Sequence, residues 1–382
     1  MKAAVKNFAL IVVAIIFSLA LFEASLVLSG TYKELANQDL RPSPAIWERP
    51  RNSVGTHIHP DLKIPITIIY DDDGVRNHDP VTTSKKNNIV GFFGDSFTEN
   101  RRVEDRFSFV RMLDKLAGGR FRMVNFGVDA YGIDQSYLRY RKYRHLDLHS
   151  VVYVLCENDL RNLYETGLTA LDDSGAVTFY QPQANRVLRI VGKFRTPYVA
   201  ISAYHQARAL IKESLPAGLD YADRLSRVAD RFSPDRKAQK KRLHDDYADS
   251  VTKDITGATP SAKTLDLARK FRAVLATWRA DVAADGRQFK IIVLPRPDDR
   301  DVAMKLVGRD ANTILYLSDS VDNYATHRFK YDDHWHEAGN LAAARTIKAS
   351  RQFADYFTAG GAALFDAKRQ EIVNYYQRHS IQ

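Results

Sequence analysis

The segment GFFGDSFTEN, residues 91–100, places a serine where acyl-transfer chemistry needs one. The apolar run 89–93 ends abruptly at Gly94, which is typical of a buried parallel strand that turns tightly into a helix. Ser96 would then lie at the amino end of that helix, outside the core, where nearby amides stabilise negative charge. A nucleophilic serine requires these surroundings. Because Ser and Asp are also favoured helix caps, an N-cap role for Ser96 is the alternative.

Three later segments carry further side chains suited to the same chemistry. They are VNFGVDAYG at 124–132, VLCENDLRN at 154–162 and YDDHWHEAGN at 331–340. With GDSF they resemble, in the same order, the blocks of the SGNH/GDSL hydrolase superfamily, which supply a Ser, a Gly, an Asn and a His. The residues that match these blocks are Ser96, Gly127, Asn158 and His334.

The resemblance covers residues 87–163 and 286–345 and, loosely, the DGVR segment at 73–76. The segments NFGVDAYGIDQ and FGDSFTEN, together with the D-x-HW motif, are most similar to a membrane-anchored bacterial branch of this superfamily. The acetyl-handling proteins of exopolysaccharide export, alginate acetylation among them, lie near that branch. For the fold, the resemblance implies a flavodoxin-like α/β/α domain of three layers around a parallel sheet of about five strands.

The resemblance also implies how a catalytic relay would be built. His334 would accept the proton of the Ser96 hydroxyl, because an imidazole has a pKa near 6.5. Asp332, in the D-x-H form of the family, would orient the imidazole, with Asp333 as the reserve choice. The D-x-x-H spacing of more compact members would place Tyr331 at the acid position.

Three groups are implied as donors to the negative oxygen of a tetrahedral intermediate: the Ser96 amide, the Gly127 amide and the Asn158 side chain. A glycine allows close approach of its backbone to a substrate. A strand-end turn for Gly127 and a helix cap for Asn158 are the structural alternatives. Cys156 stands where the family often has glycine, which would narrow the pocket and leave the Asn158 donor in place.

Neither a cofactor nor a metal is expected. A metal site from His334, His336 and the adjacent Asp pair has suitable residue types, but it would leave the Ser, Gly and Asn blocks unexplained. We expect His336 to cap the helix that begins near Ala338 or to line the pocket. Exposed loops are favoured over metal sites for the remaining clusters, His57-x-His59 and 71–73.

Short apolar runs alternate with helical patterns, and this alternation predicts a parallel sheet covered on both faces. The runs are 89–93, 121–126, 150–156, 289–294 and, more weakly, 313–317. Helical patterns occupy 104–116, 134–146 and 261–285. Since sites form at the carboxyl ends of parallel strands, the residues that follow these runs should converge.

The amino terminus predicts a membrane anchor in residues 1–30. Residues 8–22 carry no charge and follow Lys2 and Lys6, and a stretch of about 23 residues spans a bilayer. The flanking lysines place residues 1–6 in the cytoplasm and the remainder outside, facing the periplasm. A cleaved signal peptide is the alternative. Residues 31–86 are interpreted as a polar stalk with several prolines, followed by an extension that contains a strand or hairpin.

The remainder, 87–382, is predicted to be the catalytic domain, with a mostly helical insertion at about 164–260. The insertion contains a basic run at 224–242, interpreted as a solvated helix face or as an arm that contacts acidic polymer or anionic lipid. The net charge of +10 suits polyanions, and without a nucleic-acid module we expect polysaccharide or membrane instead. The one cysteine excludes an intrachain disulfide.

The expected function is that of a serine esterase or O-acyltransferase of the bacterial inner membrane. Its substrate would be an O-acetylated cell-surface or exported polysaccharide, and its partners other export or acyl-transfer components. Hydrolysis and transfer share one relay, so the sequence leaves that choice open. A catalytically silent polysaccharide-binding scaffold and a lipid esterase are the alternatives.

Overall fold

The structure is a computed structural model. It describes a few helical positions between 14 and 25, and residues 48–49, 51–180 except 78 and 80, and 246–379 except 296, 318–320, 322–323 and 359. Most of the predicted anchor, the stalk and the whole basic run 224–242 therefore lie outside the described residues. Among the helices that are described, none is both long enough and apolar enough to cross a bilayer.

The strands in the described ranges are β1 (Ser53–Ile58), β2 (Pro65–Tyr70), β3 (Ile89–Gly94), β4 (Arg122–Asn125), β5 (Leu148–Leu155), β6 (Thr169–Leu171), β7 (Val177–Phe179), β8 (Gln288–Val293), β9 (Ile314–Tyr316), β10 (Arg328–Phe329) and β11 (Asp332–Trp335). The helices are α1 (Ser96–Glu99), α2 (Phe109–Leu116), α3 (Ile133–Tyr143), α4 (Asn158–Thr166), α5 (Asp246–Thr256), α6 (Ala262–Ala284), α7 (Pro297–Leu306), α8 (Tyr324–His327), α9 (Glu337–Ala349) and α10 (Ala362–His379). Single 3₁₀ turns occupy Thr83–Lys85, Asp105–Phe107 and Ala354–Tyr356.

The central sheet has five parallel strands in the order β4-β3-β5-β8-β9. Each of the five predicted apolar runs corresponds to one of these strands, so the α/β class and the parallel sheet are confirmed. The chain winds outward in opposite directions from β3, and the reversal lies between β3 and β5. In doubly wound sheets, ligands bind at the carboxyl ends of the strands beside such a reversal.

Alternate residues of the strands pack on opposite faces of the sheet, as the twofold periodicity of strands requires. Val90 and Phe92 of β3 belong to one apolar cluster, which includes residues of α2, α9 and α10. Ile89 and Phe93 belong to another, which includes residues of α3, α6 and α7. Helices thus cover both faces, an arrangement consistent with three layers.

The hairpin predicted in 51–86 is formed by the antiparallel pair β1 and β2. Bridges from Arg76 to Tyr70 and to Asn125 join this hairpin to the edge of the central sheet at β4. The hairpin and Arg76 are therefore packed on the domain that contains the central sheet.

The described ends of the segment 164–260 differ in structure. The segment begins with the end of α4 and a small antiparallel hairpin of β6 and β7, which the sequence did not predict. It closes with α5, which packs against α4 and α7. Residues 181–245 lie between them and are outside the described part, so the predicted helical character of the insertion rests on α5 alone.

Candidate active site

The turn between β3 and α1 presents Ser96 at the carboxyl edge of the sheet. Gly94 has φ +156°, and a Cβ there would come within 2.5 Å of Thr98 Oγ1 and 2.7 Å of the Val154 carbonyl oxygen. Only glycine fits this turn. The N-cap of α1 is Asp95, whose side chain accepts a hydrogen bond from the Phe97 amide at 3.0 Å. Because Asp95 caps the helix, the Ser96 hydroxyl is left for another partner.

That partner is His334, which lies 238 residues further along the chain, on β11. Ser96 Oγ and His334 Nε2 are 2.7 Å apart. His334 Nδ1 is hydrogen bonded to Asp332 Oδ1, and an ionised carboxylate can only accept, so Nε2 is left as the acceptor for the serine proton. The Phe97 ring stacks on the imidazole with 4.7 Å between centroids and fixes its plane.

Asp332 is held on both carboxylate oxygens. Oδ1 also accepts from the His334 amide at 3.1 Å, and Oδ2 accepts from Arg102 Nε at 2.9 Å. Burial alone would raise the pKa of Asp332, but the hydrogen bond from His334 and the charge of Arg102 hold it well below its usual range. Asp332 is therefore an anion at neutral pH.

Asp333 lies on the other side of β11. Its side chain is 56% exposed, and its Oδ1 pairs with Arg328 Nη1 at 2.6 Å. The predicted contact of Asp332, rather than Asp333, with His334 is thus confirmed.

A buried ion pair supports the far end of α1. The Glu99 carboxylate accepts from Arg49 Nε at 2.6 Å and Nη2 at 2.7 Å, from the Asp129 amide at 2.7 Å and from the Tyr70 hydroxyl. Burial would raise the pKa of Glu99, but these donors, Arg49 above all, lower it to about 2. The pair connects α1 to residues before the hairpin, which the sequence analysis had assigned to a stalk.

Arg76, the arginine of the DGVR segment, binds the carbonyls at the carboxyl end of α1. Its guanidinium donates to the carbonyls of Glu99 at 2.5 Å, Val103 at 2.7 Å and Asn100. A four-residue helix cannot satisfy these carbonyls internally. The sequence did not predict this function of Arg76, nor the Arg49–Glu99 pair, nor the contact of Arg102 with Asp332. The only sequence signal for these contacts is a charged residue, Arg or Glu, inside an otherwise apolar or turn segment.

Gly127 follows β4, and the loop that contains it lies against α1. The Val128 amide donates to the Gly94 carbonyl at 3.0 Å, and a Cβ on Gly127 would come within 2.5 Å of the Glu99 nitrogen. The Gly127 amide donates to Asn125 Oδ1 at 3.0 Å. Glycine is therefore required here for packing. The Gly127 amide must break its hydrogen bond to Asn125 before it can donate to an oxyanion.

Asn158 is the first residue of α4, directly after β5, and β5 is hydrogen bonded to β3 along its length. Its Oδ1 is buried and makes no hydrogen bond within the described structure. The Ser96 amide, at the first position of α1, likewise has no backbone acceptor among the described residues. These two groups remain available to a ligand at the sheet edge.

Two buried aspartates brace the loops around the site. Asp95 caps α1, and burial raises its pKa to about 6. Asp159 accepts from the Tyr153 hydroxyl at 2.6 Å and the Cys156 amide at 3.1 Å. Burial, followed by the charge of Asp95, raises the pKa of Asp159 well above its usual value.

Three of the other groups that the sequence singled out, His336, His59 and Asp71, have structural partners. His336 caps α9 by accepting from the Ala338 amide at 3.0 Å, as predicted. His59 accepts at Nδ1 from the amides of Asp61 and Leu62 and donates from Nε2 to Glu337 at 3.2 Å. The carboxylate atoms of 71–73 lie close enough for a cation, but both Asp71 oxygens accept hydrogen bonds from the surrounding turn. Local turns and caps account for these groups.

The assembled groups have the composition of an acyl-transfer site. A serine hydroxyl is hydrogen bonded to an imidazole, the imidazole is hydrogen bonded to an anionic carboxylate, and one unused donor, the Ser96 amide, lies at the same edge of the sheet. No family model matches the chain, and no curated protein matches it. The contacts among Ser96, His334 and Asp332 are therefore the basis for inferring acyl-transfer chemistry.

Proposed function

We propose that this chain is an SGNH-type serine esterase or O-acyltransferase that acts through an acyl-Ser96 intermediate. The contact of 2.7 Å between Ser96 Oγ and His334 Nε2 is the observation that carries the proposal. The strand order β4-β3-β5-β8-β9 supports it, because it is the flavodoxin-like order expected for the SGNH fold.

In the first half-reaction, Ser96 Oγ attacks the ester carbonyl carbon while His334 Nε2 accepts the hydroxyl proton. The negative oxygen of the tetrahedral intermediate is stabilised by the Ser96 amide and the Asn158 side chain. When the intermediate collapses, the ester C–O bond breaks and His334 returns the proton to the leaving alcohol. Asp332 keeps the imidazole in the required tautomer and stabilises its cation.

In the second half-reaction, the acyl group leaves Ser96 for water or for a sugar hydroxyl. His334 removes the proton of the incoming group and then gives it to Ser96 Oγ, which restores the free enzyme. We infer that the acyl donor is an O-acetylated cell-surface or exported polysaccharide. The predicted anchor, with the domain on the periplasmic side, would keep the enzyme beside export components. An intact relay weighs against a silent scaffold, which has no need of it.

Labelling of the full-length protein in detergent with a fluorescent phosphonate tests the nucleophile. We expect the wild-type chain to be labelled and Ser96→Ala to lose the label and all cleavage of small acetyl esters. Ser174→Ala, at the exposed turn between β6 and β7, is the control and should label normally. Equal labelling of Ser96→Ala and the wild type would remove Ser96 from the mechanism.

The fate of the acyl group can be measured in the same preparation. An aryl acetate is supplied together with a deacetylated oligosaccharide, and the products are analysed by mass spectrometry. Acetylated oligosaccharide identifies a transferase, whereas free acetate alone identifies an esterase.

A further inference from the structure

The hairpin that carries Asp332 and His334 is separate from the central sheet. Its strands β10 and β11 have 2 and 4 residues, and their register shifts between Arg328 and Phe329. A two-stranded hairpin of this kind is marginally stable by itself in water. The position of β11 relative to Ser96 therefore depends on contacts that other elements make with the hairpin.

One set of contacts comes from the 59–64 loop, which joins β1 to β2. The Asp61 carboxylate in this loop accepts hydrogen bonds from two consecutive amides in the turn between β10 and β11. Oδ1 accepts from the Lys330 amide at 2.9 Å and from the Tyr331 amide at 3.3 Å, and Oδ2 accepts from the Lys330 amide at 3.1 Å. Hydrogen bonds to an ionised carboxylate are stronger than neutral ones. The next residue along the chain is Asp332, so these bonds hold the hairpin directly before the relay.

The 59–64 loop is also anchored beyond the other end of β11. His59 is fully buried, and its Nδ1 accepts from the amides of Asp61 at 3.2 Å and Leu62 at 3.0 Å. Its Nε2 donates to Glu337 Oε1 at 3.2 Å. Glu337 is the first residue of α9, two residues after β11 ends. The loop therefore contacts the chain on both sides of β11.

We propose that Asp61 is a positioning residue for the reaction at Ser96. It fixes the turn of the hairpin, so that β11 presents His334 at hydrogen-bonding distance from the nucleophile. This inference rests on the proposed function, because it concerns the geometry of that reaction. A displacement of about 1 Å between reacting groups can cost on the order of 10²-fold in rate.

Asp61 and Arg102 hold the relay in different ways. Arg102 Nε donates to the Asp332 side chain, whereas Asp61 accepts from backbone amides of the turn. Loss of the Asp61 contacts should therefore displace β11 as a unit. The hydrogen bond between His334 and Asp332 would move with the strand, and the contact of His334 with Ser96 would lengthen.

The variants are chosen to separate the hydrogen bonds of Asp61 from its charge. Asp61→Ala removes both, whereas Asp61→Asn retains an Oδ1 that can accept from the two amides. Asp172→Ala is the matched control, because Asp172 Oδ1 accepts from the amides of Ser174 and Ala176, both at 2.9 Å, in the turn of another hairpin, β6–β7.

Amide hydrogen exchange, measured by mass spectrometry on the full-length protein in detergent, tests the contact without reference to catalysis. The His334 amide donates to Asp332 Oδ1 and the His336 amide to the His327 carbonyl. The peptide 332–336 therefore reports on β11 itself rather than on the amides that Asp61 binds. In Asp61→Ala we expect this peptide to exchange about tenfold faster, and the peptides of β3 and β5 to exchange as in the wild type.

Asp61→Asn should remain within about threefold of the wild type in the exchange of 332–336, and Asp172→Ala should match it. Unchanged exchange of 332–336 in Asp61→Ala overturns the proposal. Equally faster exchange in β3 and β5 also overturns it, because that result would show a general loss of stability.

Steady-state kinetics on an aryl acetate test the consequence for the reaction. Asp61→Ala should lower kcat about tenfold and change KM less than about twofold, since Asp61 acts on the catalytic geometry rather than on substrate binding. Asp61→Asn should restore kcat to within about threefold, and Asp172→Ala should equal the wild type. A wild-type kcat in Asp61→Ala, or equal losses in Asp61→Ala and Asp61→Asn, overturns the positioning role. If the wild type cleaves no ester, the proposed function fails, and hydrogen exchange still decides whether Asp61 holds β11.

Discussion

Arg102 Nε donates a hydrogen bond of 2.9 Å to Oδ2 of Asp332, the carboxylate oxygen that faces away from the His334 ring. Arg102 lies three residues beyond the end of α1. The segment that follows Ser96 thus also holds the carboxylate that is hydrogen bonded to His334. In the proposed mechanism Arg102 is a positioning residue, since it acts through Asp332.

Arg102→Gln should lower kcat/KM about tenfold, equivalent to ~1.4 kcal/mol of transition-state stabilisation, with little change in KM. Asp332 would lose the hydrogen bond to its Oδ2 and keep those from His334 to its Oδ1. It would also no longer share its charge with the guanidinium, so the protonated imidazole would be better stabilised. The acidic limb of the kcat/KM profile should therefore move to higher pH, and Arg102→Lys should restore most of its position. A pH profile identical to that of the wild type would contradict the positioning role.

Asp332→Asn should cost far more activity than Asp333→Asn. The amide cannot stabilise the imidazolium and favours the wrong tautomer, so a loss on the order of 10³-fold or more in kcat is expected. Asp333 pairs with Arg328 rather than with His334, and its own side chain is 56% exposed. Its substitution should change kcat less than about threefold. Steady-state kinetics on an aryl acetate measure both, and comparable losses would show that the acid was assigned wrongly.

Glu99→Gln should destabilise the fold by about 3–5 kcal/mol at pH 7, because it leaves Arg49 buried without its counter-charge. The pKa of Glu99 is lowered from its ordinary value of 4.5 to about 2. A depressed acid pKa stabilises the fold above pH ~4.5, and this contribution of about 3 kcal/mol is lost as the pH falls towards 2.

Urea unfolding as a function of pH measures the contribution of Glu99. The wild type should lose stability between about pH 4.5 and 2, and Glu99→Gln should show a smaller loss over that interval. Glu104→Gln, which removes a partly exposed partner of Arg106, is the control and should follow the wild type. The same pH dependence in Glu99→Gln and the wild type would contradict the linkage.

The five strands could be predicted from the sequence because buried strands leave local signals. The contacts of His334 with Ser96 and with Asp332 could be predicted because these residues lie in motifs that resemble those of a known family. A buried parallel strand is a short continuous apolar run, and the runs matched β3, β4, β5, β8 and β9. The site residues follow these runs or lie in short motifs. Asp332 could be preferred to Asp333 because it matches the D-x-H spacing of the family that the sequence resembles.

The supporting contacts could not be predicted, because they join residues distant in sequence through tertiary packing. Arg49 is 50 residues from Glu99, and Arg102 is 230 residues from Asp332. No local pattern specifies such partners. The occupied amide of Gly127 depends on the side-chain orientation of Asn125 in the folded chain. The polar residues around 31–50 suggested a stalk, yet Arg49 is buried beside the site.

Asn158 and Asn162 lie one helical turn apart on α4, and they should respond to alanine in opposite ways. The Asn158 side chain has a buried oxygen with no hydrogen bond inside the described structure, so Asn158→Ala removes an unsatisfied polar group. Its removal should leave the free energy of unfolding unchanged or raise it slightly. If Asn158 donates to the oxyanion, kcat should nevertheless fall about 10²–10³-fold.

Asn162 is buried, and its Nδ2 donates to the Tyr131 carbonyl at 3.1 Å. Asn162→Ala leaves that carbonyl unpaired and should destabilise the fold by about 1–3 kcal/mol, while kcat falls far less than in Asn158→Ala. Urea unfolding and aryl acetate kinetics on both variants give the two comparisons. A loss of stability in Asn158→Ala as large as that in Asn162→Ala would identify Asn158 as a structural helix-start residue. Loss of kcat without loss of stability would place its amide at the reacting carbonyl, because only a group that binds the transition state shows that combination.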